Sequence, residues 1–312
     1  MVKFGMCFSR DFEGVVPLGH IGKKLPVYLR LLNLCQKEGW EAYVLTRKTY
    51  EGGNNFDGAW LFNNGKFERV EKPVKVDLVF DWVGNLLFPP ESEQKLKVVN
   101  IRKFKELCFN KWEAYITLSD FMPKTYWVGD IENVGKLINK VQTKNIVLKP
   151  HDGLRGKDIF IGKKENLKNF KPEKTGRKYI LQEFVDTSCG IPNLTPGNHD
   201  LRIVVVNGEV VWSHIRVPAE GKYLANTAQG GQLTEIDYDK APRGVKKIVK
   251  DISNRFYRKY DNPVFSLDFG INEEGQPKIF EINDQIGFPR WEMKNRDVFL
   301  NALVENFKSK LH

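Results

Sequence analysis

No apolar run in the sequence is long enough to cross a bilayer, so no membrane-spanning helix is expected. The four cysteines, Cys7, Cys35, Cys108 and Cys189, lie far apart and form no CxxC pair. That argues against a zinc site or a disulfide framework, and for reduced thiols in a cytoplasmic protein. No GxxxxGK[ST] motif opens a helix and no GxGxxG turn follows a strand, so neither a Walker loop nor a dinucleotide-binding turn is expected. Internal repeats and low-complexity tracts are absent too, and Met1–Arg10 reads as a short strand rather than a signal peptide. The 312 residues, 41% hydrophobic and 28% charged, are enough for two or three lobes with a real core. Net charge is +10, but the basic residues are dispersed. This favours nucleotide phosphates or acidic substrates over nucleic acid.

The most informative stretch runs from Val264 to Gly270 and resumes from Gln276 to Asn283. Both halves alternate as strands do. Phe265, Leu267 and Phe269 fall on one face, Ser266 and Asp268 on the other. In the second half Phe280 and Ile282 are expected to share a face, opposite Glu281 and Asn283. A hairpin centred on Glu274-Gly275 places Asp268 directly across from Glu281. Facing carboxylates repel, and a divalent cation would turn that cost into a site. Two carboxylates and the Asn283 carbonyl are hard oxygen ligands suited to Mg²⁺, which also holds phosphates. The alternative is a solvated polar face on an edge hairpin, and an odd-membered loop would break the pairing.

Upstream, residues 2–8, 41–45 and 76–82 read as strands, and Leu25–Glu38 as a helix with Pro26 in its first turn and Gly39 ending it. Strand–helix–strand order predicts a parallel α/β lobe. Residues 101–122 read as largely helical, stopped by Pro123, with Lys111 inside. Val147–Ile161 reads strand, glycine loop (Gly153, Gly156), strand, with Lys149 ending an apolar run where a lone amine is costly unless an anion meets it. Tyr179–Asp186 is a strand with a polar exit. Asn207-Gly208 between β-branched runs marks a two-residue hairpin. Its simplest register sets Arg202 opposite Ser213, with Arg202 and Arg216 on opposite faces unless a bulge intervenes. A loop around Asn226, Gly230 and Gly231 follows, then amphipathic helices over 245–260 and 297–311.

Taken in order, Lys111, Lys149-Pro150 with Gly153 and Gly156, Gln182 to Val185, Asp200 to Arg202, Arg216, Asn226, Asp268 and Glu281 to Asn283 resemble the ATP-grasp superfamily. The similarity is greatest to its glutathione synthetase and RimK-like carboxylate–amine ligases, and it covers roughly residues 99–290. The resemblance implies an ATP-grasp fold, α/β (α+β), with a preceding parallel α/β lobe. Its parts would be a lobe over 1–98, a central subdomain with the glycine loop over 99–187, and a C-terminal subdomain with the metal site over 188–312. It implies that ATP is held by Lys111, Lys149, Gly153, Gly156, Gln182, Glu183, Val185 and Asp186, the last near the ribose. Asp268, Glu281 and Asn283 would hold Mg²⁺, with Mn²⁺ as the alternative. Arg216 and Asn226 would lie near the γ-phosphate, and Arg202 would orient a carboxylate.

The activity implied is ATP-dependent amide formation through an acyl phosphate, releasing ADP and phosphate, with small-molecule or peptide carboxylate and amine substrates. The same phosphate and metal groups would serve a kinase of an anionic alcohol such as an inositol phosphate, or a nucleotide-binding module without turnover. No nucleic acid or membrane partner is expected, and a homo-oligomer is compatible with the family. The loop Ser9–Lys24 is the candidate for substrate choice. Asp284-Gln285-Ile286-Gly287-Phe288 departs from the small-residue and proline segment usual after the metal Asn, and Asn110 precedes Lys111 where an acid is common.

Overall fold

The structure is a computed structural model, describing residues 1–12, 16–152, 158–223, 225 and 231–312. Its first sheet has six strands in the order Lys66–Val70, Ala59–Asn63, Glu41–Thr46, Lys3–Phe8, Leu78–Trp82 and Lys97–Val99. The last four run parallel, and the helix Leu25–Lys37 makes the crossover between the first pair in sequence. Val27, Tyr28, Leu31, Leu32 and Cys35 form its buried side. Gly39, at φ +79°, closes it in the left-handed conformation that suits glycine.

The lobe is therefore mixed rather than parallel, because an antiparallel hairpin is added at one edge. Its turn is Asn64-Gly65, both at positive φ. That is the same Asn-Gly signal that marks the later hairpin. Residues 50–75 also contribute a small three-stranded sheet of Tyr50–Gly52, Asn55–Phe56 and Val74–Lys75.

The helix expected over 101–122 is two helices, Arg102–Phe109 and Lys111–Leu118. Asn110 separates them. Its backbone is extended, and its side-chain carbonyl accepts from Trp112 N (3.0 Å) and Glu113 N (3.2 Å). This local bond competes with helix continuation and caps the second helix. An acid at 110 could cap equally well, so the departure to Asn keeps the cap and sheds a charge beside Lys111.

The central sheet is antiparallel, in the order Thr125–Gly129, Tyr179–Glu183, Asn145–Pro150, Phe160–Lys163. The C-terminal sheet is also antiparallel, in the order Gln232–Glu235, Glu209–Val217, Asp200–Val206, Phe265–Ile271, Pro277–Asn283. One face packs on the helix Arg243–Lys259: Leu201, Ile203, Val205, Phe265, Leu267 and Phe269 meet Val245, Ile248, Ile252 and Phe256. The helices 102–118 join this core through Phe104, Leu107 and Leu118.

The last helix, Arg296–Leu311, returns to the first lobe, where Phe307 stacks on Phe4 at 4.9 Å. Two further ties join the lobes. The Asn100 side chain bonds both the N–H and the carbonyl of Val264, each at 2.6 Å. Lys105 is buried between Asp81 (3.2 Å) and Asp284 (2.5 Å), carboxylates from the first lobe and from the residue after Asn283. Burial disfavours its charge, but the two carboxylates outweigh that and raise its pKa.

Replacing Lys105 by Met keeps the aliphatic stem and strands two carboxylates in the interior. Urea unfolding of Lys105→Met should show a loss of about 3–5 kcal/mol. A loss under about 1 kcal/mol would show that the triad does not hold the lobes.

Candidate active site

A cleft of about 550 Å³ lies where the three larger sheets meet. Its floor is the open face of the C-terminal sheet, and two β-bulges decide what stands there. The 200–217 hairpin begins in simple register, Val206 opposite Glu209 and Val205 opposite Val210. It then gains Val211 as an extra residue, so Val204 faces Trp212 and Arg202 faces His214 rather than Ser213. The bulge puts Asp200, Arg202, His214 and Arg216 on one face. The strand 265–271 adds Asp268 directly beside Arg202.

Asp268 does pair with Glu281, although by a different route from the expected one. The loop is odd-membered, with Ile271 opposite Pro277, and a bulge at Phe280 restores the pairing. The same bulge overturns the expected pairing of Phe280 with Ile282: Ile282 is in the core and Phe280 lines the cleft. Gly270 allows this, since a Cβ there would lie 2.1 Å from the Phe280 ring.

Asp268 is nearly fully buried. Arg202 grips it with Nε and Nη2, both at 2.7 Å, and Arg216 Nη2 reaches it at 2.8 Å. Burial pushes the carboxyl pKa up, but the two guanidiniums outweigh this and hold it well below the usual range. Arg216 also pairs with Asp200. Burial and the nearby Asp268 charge raise Asp200, against the pull of the arginines. His214 is buried, its ring tilted by 33° against Trp212 with centroids 4.1 Å apart. Burial, then Arg202 and Arg216, push its pKa well below the usual imidazole range.

Opposite this floor stand two buried lysines. Lys111 begins the helix after Asn110 and lies 3.1 Å from Glu281. Lys149 donates to Gln182 Oε1 (3.0 Å) and the Phe280 carbonyl (3.4 Å). Gln182 is in turn fixed by donating to Thr125 Oγ1 at 2.8 Å. Burial lowers the Lys149 pKa to about 8, helped by Lys111 and opposed by Glu281.

Glu183 and Val185 line the cleft edge, with the Glu183 N–H bonded to the Lys124 carbonyl at 2.9 Å. Asp186 is exposed and accepts from Ser188 N at 2.9 Å. Gly153, Gly156 and Asn226 lie outside the described residues. Lys24, Trp82, Trp212 and Gln285 also line the cleft and were not singled out from the sequence as site residues. The alternation Trp212-x-His214-x-Arg216 was the available signal for the first pair of that hairpin.

Among the described residues no group of three His, Cys, Asp or Glu comes together as a metal site. The candidate donor set is instead Asp268, Glu281 and the amide of Asn283, whose Nδ2 lies 3.1 Å from Asp268. Hard oxygen donors of this kind fit a Mg²⁺-like cation. At present each carboxylate is matched by a side-chain cation.

Solved structures of ligases share this chain's fold. D-alanyl-alanine synthetase A from Vibrio cholerae superposes with a TM-score of 0.64 over 99% of this chain and 98% of its own, at 11% identity. D-alanine–D-alanine ligase from Bacillus anthracis in complex with ATP gives 0.59 over 100% and 97%, at 11% identity. The profile of the RimK-like ATP-grasp domain matches residues 114–294. The chain belongs to that family. N-acetylaspartylglutamate synthase A of Mus musculus is 26% identical over 212 residues, 65% of this chain and 51% of its own. Glutathione synthetase of Shewanella oneidensis is 31% identical over 168 residues, 52% and 49% respectively. The chain spans about half the length of the curated relatives it matches. No described helix is long and apolar enough to cross a membrane.

Lys149 gives a signed pH dependence. With a pKa near 8 the amine is partly neutral at pH 8, and phosphates bound beside it would favour its charged form. Mg-ATP binding should therefore take up protons near pH 8, and affinity should fall as pH rises above that. Calorimetry in buffers of different ionisation heat reads the uptake, which should vanish in Lys149→Met. Uptake unchanged in that variant would show that Lys149 does not meet the phosphates.

Proposed function

We propose that the protein is an ATP-dependent ligase that joins a carboxylate to an amine through an acyl phosphate, releasing ADP and phosphate. The observation that carries this is the meeting of Lys111, Lys149, Arg202 and Arg216 with Asp268, Glu281 and Asn283 in one cleft of an RimK-like ATP-grasp domain. Relatives named for making N-acetylaspartylglutamate, β-citrylglutamate and glutathione support the reaction type. Each of those products contains an amide bond.

A carboxylate resists attack because its leaving group would be oxide. In the proposed reaction its oxygen attacks the γ-phosphorus, the bond to ADP breaks, and an acyl phosphate forms. The amine then attacks the acyl carbon, the C–O bond to phosphate breaks, and the ammonium proton is lost. Lys111 and Lys149 hold the phosphates, and Arg216 with Asn226 lies near the transferred group. Arg202 orients the carboxylate substrate. Charges fixed in place before the reaction act strongly on the charge that develops in it. The backbone at Glu183 and Val185 meets the adenine. Since the Glu183 N–H is already bonded, Glu183 contributes its carbonyl. Gln182 acts by aiming Lys149, and Asp186 lies near the ribose. Gly153 and Gly156 belong to the proposed set that serves ATP. Asp268, Glu281 and Asn283 would hold Mg²⁺ or Mn²⁺, which supplies charge neutralisation on the phosphates.

We further propose the division into 1–98, 99–187 and 188–312, with helices 102–118 packing across onto the last part, and a cytoplasmic location. Three of the four cysteines are buried and all are unpaired, which suits a reducing compartment.

Phosphorus NMR on the protein with Mg-ATP and pools of amino acids, peptides and inositol phosphates tests the reading. ADP with free phosphate, dependent on both a carboxylate and an amine, is expected. A new phosphoester would make the protein a kinase instead. Glu281→Gln should slow ADP formation at least about 100-fold, the scale expected when a preorganised charge is removed. Undiminished turnover would overturn the metal assignment.

A further inference from the structure

The helix Arg243–Lys259 concentrates a charge that is otherwise dispersed. Its 17 residues hold seven lysines and arginines against one acid, Asp251, so it carries six of the chain's ten net positive charges. Its apolar side, with Val245, Ile248, Ile252 and Phe256, is buried on the C-terminal sheet. Its other side is exposed at Arg243, Lys247, Lys250, Arg255, Arg258 and Lys259.

Among the described residues none of these cations makes an ion pair. Lys246, half-buried, donates to the Asp239 carbonyl. Arg255 lies over the Phe121 ring at 5.1 Å and Lys259 over the Tyr260 ring at 5.3 Å. The other four form a row. Arg243, Lys247, Lys250 and Arg258 follow one another at one, one and two turns, with Asn254 filling the gap. The row therefore runs about 22 Å along the helix axis.

Such a row is not what helix stability calls for. Like charges one turn apart repel. Arg243 stands in a first turn that has no acid, against the helix dipole. A face that only meets water interleaves both signs. Nor does the nucleotide reading need these cations. The helix packs on the side of the sheet away from the cleft, and none of its residues lines the cleft.

The charge calls for an anionic partner, and the surroundings narrow its class. A second copy meeting this face across a two-fold axis would bring the same cations and be repelled. Single-stranded nucleic acid needs exposed rings on which bases stack. Phe256 and Tyr260 are buried here, and the Tyr257 hydroxyl is tied to the Pro263 carbonyl at 2.7 Å. A helix that lies on a membrane needs an apolar face free to enter lipid, and this one is committed to the core. Carboxylates spaced by three and four residues on a partner helix would match the row turn for turn.

We propose that the outer face of the helix Arg243–Lys259 is a docking surface for an acidic protein, one that presents a helix with a row of Asp or Glu. The surface is separate from the cleft, and the proposal does not depend on the ligase reading. Exposed charge pairs of this kind act on the rate of encounter and on the choice of partner, and salt screens them.

The test is fluorescence anisotropy of the full chain with a labelled alanine-based helical peptide bearing Glu at the spacing of the row. A peptide of the same composition with its Glu residues scattered round the helix, duplex DNA and phosphatidylglycerol vesicles are the rival probes. The row peptide should bind at least about tenfold more tightly than any rival, and its affinity should fall as salt rises. Lys247→Glu combined with Lys250→Glu should weaken it at least about tenfold, with the melting temperature unchanged. Lys247→Gln combined with Lys250→Gln, which adds no acid, should weaken it by a smaller factor. Glu281→Gln, a change inside the cleft, should leave it unaltered. Equal binding of the two peptides, or row-peptide binding unchanged in both double variants, overturns the docking surface. Tighter binding of DNA or of vesicles overturns the acidic protein as its partner.

Discussion

The site depends on one buried carboxylate held between two guanidiniums. Asp268 sits in the middle of the C-terminal sheet, out of contact with water, and Arg202 and Arg216 reach it from two different strands. A carboxylate cannot stay charged at such a position alone. Those arginines in turn need to be on its face. Side chains alternate along a strand, so a slip of one residue sends a charge into the apolar core. The extra residue at Val211 provides the needed half-turn of phase between the Asn207-Gly208 turn and Arg216. The extra residue at Phe280 does the same between the 272–276 loop and Glu281. Both bulges leave the helix-facing side uninterrupted, since Ile215 and Ile282 remain in the core.

Most elements were legible because their signals are local. Apolar runs located four of the five strands of the C-terminal sheet, all but Gln232–Glu235, and the 3.6-residue period located the helices at 25–37, 243–259 and 296–311 almost to the residue. The bulges were not legible, since nothing in the sequence of Val210-Val211-Trp212 distinguishes the extra residue from its neighbours. The pairing of Asp268 with Glu281, expected from an even turn at Glu274-Gly275, holds because an odd loop and a bulge offset each other. The helix break at Asn110 was readable in principle, as Asn caps helices. The sequence around it is otherwise helical enough to hide it. The antiparallel edge of the first sheet was announced by Asn64-Gly65 and overlooked in favour of a repeating strand–helix pattern. The small sheet over 50–75 has strands of two or three residues, too short for any period to show.

What no local pattern carries is tertiary partnership. Lys105 reads as one more solvated lysine on a basic segment. It is buried because position 81 and position 284, far apart in sequence, each bring a carboxylate to it. With Asn100 bound to Val264 and Phe307 stacked on Phe4, this triad fixes the first lobe against the sheet that carries the site. The consequence is positional. Asp284 is the residue after Asn283, so the end of the candidate metal strand is tied directly to the lobe that supplies Lys24 and Trp82.

The cleft is charge-balanced in a way that suits exchange. Lys111 is matched by Glu281, and Arg202 and Arg216 by Asp268. On the ligase reading, a polyphosphate and a divalent cation arriving together would give each side a new partner: the cations turn to phosphate oxygens and the carboxylates to the metal. Neither could bind well alone. Phosphates without the metal would confront Asp268 and Glu281, and the metal without phosphates would displace cations that then have no partner.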